Sequence, residues 1–442
     1  MIPKVRRAGK AAGKDPMHRV LYLTVLLPFF FITSCISTTY DTSSPPLPDA
    51  ERLAAARELM TDSRILRAFE HIESNRDAIL AQWITLTEIN APSGHEQERA
   101  RYVETLLRAH ETLEVRRDSA GNVIATRKGT GGGPTIVLDA HLDTVFQPGL
   151  EIEATVRDGR LHAPGVGDAT RNIEAILATL RALDAAGIST KGDLIALFTV
   201  EEETNFRGVN QFIADNRHQI DHFLAFDGGF AGFSYGGIGI HWYRHHFMGP
   251  GGHTLSSTPP WSATVPAARA IDRIARLQLP RESAARLNIG MMGGADVVNA
   301  KASDAWFTVD LRSTDDEVLQ KFENVIRNIL EEEAKAAGMK LHTEVISKSP
   351  AAQIPGHRNS YLVRTAEAVH IAAGFENPPI HNSGANNASV ALRNGISALS
   401  TGTAPCSNAH ALTESCAIEP FYKGIRKMLL LAVALAELDP GD

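Results

Sequence analysis

"TIVLDAHLDTV", residues 135–145, decides how the chain is read. Its first half is a short apolar run without polar alternation, the mark of a strand buried on both faces, and such strands belong to parallel sheets covered by helices. At its end stand His141 and Asp143, two residues apart, so on a strand both side chains leave the same face. An exposed strand end tolerates such a pair, which gains meaning only from partners elsewhere in the chain.

Three further runs share this texture: "LIALFTV" (194–200), "HFLAFD" (222–227) and "ISALST" (396–401). Helical segments such as "NIEAILATLRALDAAG" (172–187) and "SVALRNG" (389–395) stand near them, which indicates an α/β domain: a mostly parallel sheet flanked by helices. Residues 50–110 carry apolar side chains at helical spacing, and "APSGHEQER" (91–99) reads as a loop entering a further helix with Ser93 as its cap. Between 237 and 350 the pattern changes. "IGIHWYRHHFMGPGGHTL", "RLNIGMMGG" and "AWFTVDLRS" alternate like antiparallel strands, and residues 261–278 and 315–338 form two amphipathic helices. This is an inserted α+β module of βαββαβ order, ferredoxin-like, dividing the α/β domain into 51–236 and 351–442. A length of 442 residues fits two domains, and no solenoid repeat stands out.

The N-terminus is basic ("MIPKVRRAGKAAGKDPMHR"), then apolar ("VLYLTVLLPFFFIT"), then Ser34 and Cys35, the layout of a signal peptide over 1–34 with Met1 or Met17 as the start. The apolar run is short for a bilayer span, and an uncleaved interfacial anchor is the other reading. "ITSC" resembles a bacterial lipobox, which implies export and a lipid anchor on Cys35 at the periplasmic side of the cell envelope. Residues 35–50, polar and proline-containing, read as a tether. A formal charge of −7 gives no footprint for nucleic acid. Cys406 and Cys416 stand as a disulfide or as two free thiols.

In a parallel α/β sheet chemistry collects beyond the carboxyl ends of the strands. After the first run come His141 and Asp143. After the second come Glu201, Glu202 and Glu203; after the third, Asp227; beyond the fourth, His410; and "APGVGDATRN" places Asp168 at a helix start. Singly, Asp168 reads as an N-cap, the glutamates as a solvated run, Asp227 as a turn and His410 as a loop residue. Together, imidazole and carboxylate are the ligand set of zinc or a similar divalent ion, and their number suits two ions sharing a bridge.

These residues resemble the dinuclear zinc hydrolases that include aminoacylase, carnosinase-type dipeptidases, peptidase T and bacterial glutamate carboxypeptidase. "HLDTV" resembles the first metal motif, "GVGDATRN" the bridging aspartate, "FTVEEE" the glutamate pair, "FDGG" the second carboxylate, "NAHALTE" the final histidine and "GPGGHT" the opening of the inserted domain. The resemblance implies one ion on His141, Asp168 and Asp227, and another on Asp168, Glu203 and His410. Zinc is the expected metal, with manganese or cobalt compatible. It implies Asp143 as the partner that orients His141, Glu202 as general base, and a cis peptide after Asp168. The resemblance further implies that His253, from the inserted lid, stabilises the oxyanion across a homodimer, and that Asn299 and Arg312 grip the substrate's carboxylate. Departures are Arg171 and Asn172 after the bridging motif, and "SGANNAS", where Asn387 replaces an aspartate beside the substrate. The implied activity is cleavage of small peptides as an exopeptidase or dipeptidase. N-acyl amino acid amidohydrolysis is the alternative, and a non-catalytic binding lipoprotein the rival from outside enzymology. No basic cluster suits phosphoester hydrolysis.

Overall fold

The four apolar runs become the middle of one eight-stranded sheet. Strands Leu194–Thr199, Ile136–His141, His222–Phe226 and Ser397–Thr401 lie side by side in that order, all parallel. The computed structural model describes residues 49–258 and 261–441, so the signal peptide and nearly all of the tether lie outside the described residues. Alternate strand residues feed two cores. Leu138, Ala196, Phe198, Leu224 and Leu399 join Leu177, Val369 and Leu429 of the helices on one face. Val137, Ile195, Leu197, Phe223 and Ala398 join Val209, Phe212 and Leu392 on the other. Burial on both sides is why these strands show no alternation.

The sheet is mixed rather than simply parallel. Leu113–Arg117 and Val123–Arg127 form an antiparallel pair at one edge, and the short strands Phe233–Ser234 and Ile380–His381 close the other. Helices Ala50–Leu59, Ser63–Ser74, Arg76–Glu88 and Gln97–Arg108 precede the sheet. The first begins within the expected tether, with Asp49 as its cap. Ser93 is not a cap: the helix from Gln97 has no side-chain cap, and the Ser93 hydroxyl points to Asp143 instead.

The module between 237 and 350 has its own sheet, in the order Arg286–Asn288, Asp304–Ser313, Gly239–Met248, Lys340–Ser349, antiparallel throughout. Helices Thr264–Ala275 and Asp316–Ala337 bury Ala267, Ala270, Phe322 and Ile326 against Phe247, Phe307 and Leu311. The longer helix is capped by Asp315 and ends at Gly338, whose φ of 65° is the left-handed conformation glycine adopts without penalty. Among the described residues no helix is long and apolar enough to cross a membrane.

Candidate metal centre

His141 is the last residue of its strand and is almost fully buried. Its Nδ1 lies 3.0 Å from the main-chain oxygen of Asp143 and 3.4 Å from Oδ1 of the same residue. That leaves Nε2 facing Asp168 Oδ1 at 2.8 Å. Asp143 also accepts the Ser93 hydroxyl at 2.6 Å and the N–H groups of Glu202 and Glu203 at 3.0 and 3.1 Å. Burial opposes its charge, but His141, Ser93 and the Glu202 N–H outweigh burial and hold this carboxyl below its ordinary range.

Asp168 sits in the turn Val166–Thr170, and the Asp168–Ala169 peptide is cis. It does not cap the following helix, Arg171–Ala185, whose N-cap is Thr170. Its second oxygen lies 3.1 Å from His410 Nε2. One carboxylate therefore faces an imidazole on each side. The turn is gripped by Glu414, whose carboxylate accepts the N–H groups of Gly165, Gly167 and Asp168 at 2.8, 2.8 and 3.0 Å.

Donor atoms of His141, Asp168 and Asp227 lie within 4.8 Å of one another, as do those of Asp168, Glu203 and His410, and those of His141, Glu202 and Glu203. Glu203 Oε1 stands 3.2 Å from His410 Nε2, yet this buried oxygen makes no aligned hydrogen bond. Two donors at that distance but out of line suit a common third atom. Burial first, then neighbouring carboxylates, pushes Glu203 up to about 7 and Asp227 up to about 6, and raises Glu202 well above the usual carboxylate range. Against burial, the bonds from His141 and His410 hold Asp168 far below it. Even with Arg171 near Asp168 and Asp227, this buried acidic cluster holds more carboxylates than cationic groups, and its donors fit divalent cations of the zinc type.

A cleft of about 930 Å³ opens beside Asp168 and Asp227, walled by Gly228, Phe230, Pro379, Asn386 and Pro405. Arg171, one of the departures noted in the sequence, is buried in this wall and donates to Gly228 O at 2.8 Å and to Ala404 O. Asn172 accepts the Thr403 hydroxyl at 2.7 Å. Asn387 does not reach the cleft: it donates to Asp139 Oδ2 and Thr199 Oγ1 at 2.9 and 2.8 Å, tying strand ends together, while Ala385 and Asn386 line the cleft. Cys406 and Cys416 form a disulfide.

The residues expected from the inserted module stand apart from this cluster. His253, Asn299 and Arg312 do not line the cleft. His253 is exposed on the short strand Gly252–His253, where its Nδ1 accepts the Leu255 N–H at 3.2 Å. Asn299 is beside it, its main-chain oxygen accepting the Thr254 N–H at 3.2 Å. Arg312 donates from Nε to Asp310 at 3.0 Å, its guanidinium 6.0 Å from the Trp242 ring.

Two residues of this region escape a reading by sequence. Glu414 stands four residues after His410 within the quoted "NAHALTE", and that fixed offset was its signal. Lys427 is fully buried and donates to Phe230 O, Thr401 Oγ1 and Gly402 O at 2.7, 2.9 and 2.8 Å. A lysine inside the apolar helix Ile418–Ala436 was its signal.

Residues 137–434 match the model of peptidase family M20/M25/M40, more than half of the chain. The chain belongs to this family. Carboxypeptidase G2 of Pseudomonas sp. (strain RS-16) is 29% identical over 137 residues, 30% of this chain and 33% of that one. The chain thus aligns with about a third of the length of the curated relatives it matches. Among solved structures, aminopeptidase PepT of Bacillus cereus superposes with a TM-score of 0.72 at 21% identity, over 82% of this chain and 99% of that one. The YXEP protein of Bacillus subtilis, a dinuclear metal-binding peptidase from family M20, gives 0.63 at 17%, over 83% and 100%. These two likenesses establish the M20 peptidase fold, with its mixed sheets and flanking helices.

Proposed function

We propose that this M20 family chain is a dinuclear metal hydrolase of small peptides, acting as an exopeptidase or dipeptidase. The observation that carries this reading is the Asp168 carboxylate, with His141 on one oxygen and His410 on the other. His141 and Asp227 would complete one ion's ligands, Glu203 and His410 the other's. Zinc is the metal best suited to these donors, with manganese or cobalt accepted. Bound there, the ions supply Lewis acidity that activates water and polarises an amide carbonyl.

The protein's own groups do the rest. Glu202 is buried beside the cluster and raised by that burial, so its carboxylate takes the proton of the attacking water and returns it to the leaving amine. Asp143 holds the His141 ring and the Glu202 main chain in place. The cleft walled by Phe230, Pro379 and Pro405 gives room for a short substrate beside Asp168 and Asp227. We read the inserted module as a ferredoxin-like lid. Its strand order, second–third–first–fourth, supports that assignment, and His253, Asn299 and Arg312 would meet substrate on closure or from a partner in a homodimer. The protein would work outside the cytoplasm, anchored through Cys35.

Mass-spectrometric hydrolysis of a panel of dipeptides, tripeptides and N-acyl amino acids by metal-loaded protein lacking residues 1–35, beside Glu202→Gln, tests the reading. Cleavage of peptides by the wild type, with the variant binding metal but slower by about 10²–10⁴-fold, is expected. Cleavage of N-acyl amino acids alone would favour amidohydrolysis. Equal activity in Glu202→Gln removes that residue as the base. Two bound ions without any cleavage would favour a binding lipoprotein.

A further inference from the structure

Cys406 and Cys416 face each other on the short antiparallel strands Cys406–Ser407 and Ser415–Ala417, and their disulfide closes the loop that holds both His410 and Glu414. The bridge lies against the Asp168 turn. A Cβ placed on Gly167 would come within 2.8 Å of Cys416 Sγ, 2.9 Å of Cys406 Sγ and 2.7 Å of Glu414 Oε1, so only glycine fits beneath it. On its other side Arg171 reaches Cys406 Sγ at 2.9 Å.

Inside the loop the chain is held sparsely. Asn408 and His410 both take positive φ, 58° and 65°, a conformation that non-glycine residues keep only where their surroundings enforce it. The His410 side chain is 52% exposed, so packing does not fix its ring. Beyond the Ser407–Ser415 pairing, the loop is bonded internally by Ala411 N to Asn408 O at 3.1 Å, Glu414 N to Ala411 O at 3.0 Å, and the Asn408 amide to Thr413 O and Oγ1 at 3.4 and 3.3 Å. His141 and Asp227, by contrast, stand at strand ends outside the loop.

We infer that the Cys406–Cys416 disulfide is a positioning device for the His410 half of the metal centre, so that retention of the ion on Asp168, Glu203 and His410 depends on the bridge. The inference rests on the dinuclear reading above. With the bridge open, His410 leaves its strained conformation and its ion loses one ligand, while His141, Asp168 and Asp227 keep theirs.

The test is metal counting on the full-length chain, loaded with zinc, before and after reduction by a trialkylphosphine. The phosphine gives two electrons to the S–S bond and takes up the oxygen of water as phosphine oxide, and the two protons of that water go to the sulfurs. Thiol titration, rising by two per chain, confirms reduction. The expected result is a fall from two ions to one, the lost ion being held about 10- to 100-fold more weakly, the size typical of losing a ligand's supporting contact. Cys406→Ser with Cys416→Ser should match the reduced protein, and oxidised His410→Ala should lose the same single ion. Reduced protein that keeps both ions with unchanged release kinetics overturns the inference. Loss of both ions together with the helical dichroism overturns it too, because the bridge is then a general staple. Oxidised wild type that takes up no ion refutes the dinuclear reading itself.

Discussion

The carboxylate of Asp143 accepts the main-chain N–H of Glu202 at 3.0 Å, and through the same group it aligns His141. One buried side chain thus sets both the ring of a ligand and the segment that presents both glutamates. Asp143→Ala leaves the Ser93, Glu202 and Glu203 donors without this acceptor and removes the carboxylate beside His141, whose ring keeps only its bond to the main-chain oxygen of residue 143. Zinc affinity should fall about 10- to 100-fold, the range for removing the group that orients a ligand. Competition against a chromophoric chelator measures it, and an unchanged affinity would mean that Asp143 does not orient the site.

Lys427 joins the Phe230 wall of the cleft to Thr401 and Gly402 by hydrogen bonds from a fully buried ammonium. Burial pulls its pKa well below the ordinary value, with the charges of Arg171 and Lys423 adding to the effect. Lys427→Met removes a costly buried charge but leaves two carbonyls and a hydroxyl short of a donor. The unsatisfied neutral acceptors outweigh the relief, so a net loss of about 1–3 kcal/mol is expected, with a raised KM as the Phe230 wall shifts. A urea midpoint equal to wild type would show that water replaces the ammonium freely.

The central sheet is legible because residues such as Val137 and Leu138 go to opposite cores, and continuous apolarity betrays burial on both faces. The edge strand Leu113–Arg117 is not, since its alternating, half-exposed pattern in "LEVRR" gives no such run. His141, Glu203, Asp227 and His410 stand out by their places after successive strands and Asp168 by its place before a helix, and the fold gathers their donor atoms into overlapping clusters. Supporting residues are hidden because their partners lie far away in sequence. Ser93 looks like a cap until Asp143 is seen beside it, and Asn387 looks like a substrate contact until Asp139 is found beneath it. Glu414 has its offset from His410 as a local signal, but its N–H partners lie some 250 residues earlier, so its role shows only in the fold.

Gly424 lies in the helix Ile418–Ala436, where alanine ordinarily gains about 1 kcal/mol over glycine. Here an added Cβ would fall 1.7 Å from Thr403 O, an overlap with main chain that no rotamer relieves. The helix must move away from the strand-end loop, and overpacking of this kind costs about 1–3 kcal/mol or more. Gly424→Ala should therefore destabilise. A higher melting temperature would show that the propensity gain wins and that the contact with Thr403 is soft.

Asp62 caps helix Ser63–Ser74 by accepting the Arg64 N–H at 2.8 Å, and its carboxylate pairs with the Arg64 guanidinium at 2.9 Å. The hydrogen bond from that guanidinium is the main reason its pKa drops from 3.8 to about 2. A lowered folded-state pKa means that the ionised form is the stabilising one, so its contribution is complete above about pH 5 and fades as pH falls through 3.8 towards 2. The side chain is 24% exposed, so screening trims the ion pair, and the cap leaves about 1 kcal/mol. Asp62→Ala should accordingly be less stable than wild type by about 1 kcal/mol at pH 7, with roughly half of that gap gone by about pH 3. Urea midpoints of both proteins across this range decide the point. A gap that stays constant down to pH 3 would place the stabilisation in the helix backbone rather than in the ionised cap.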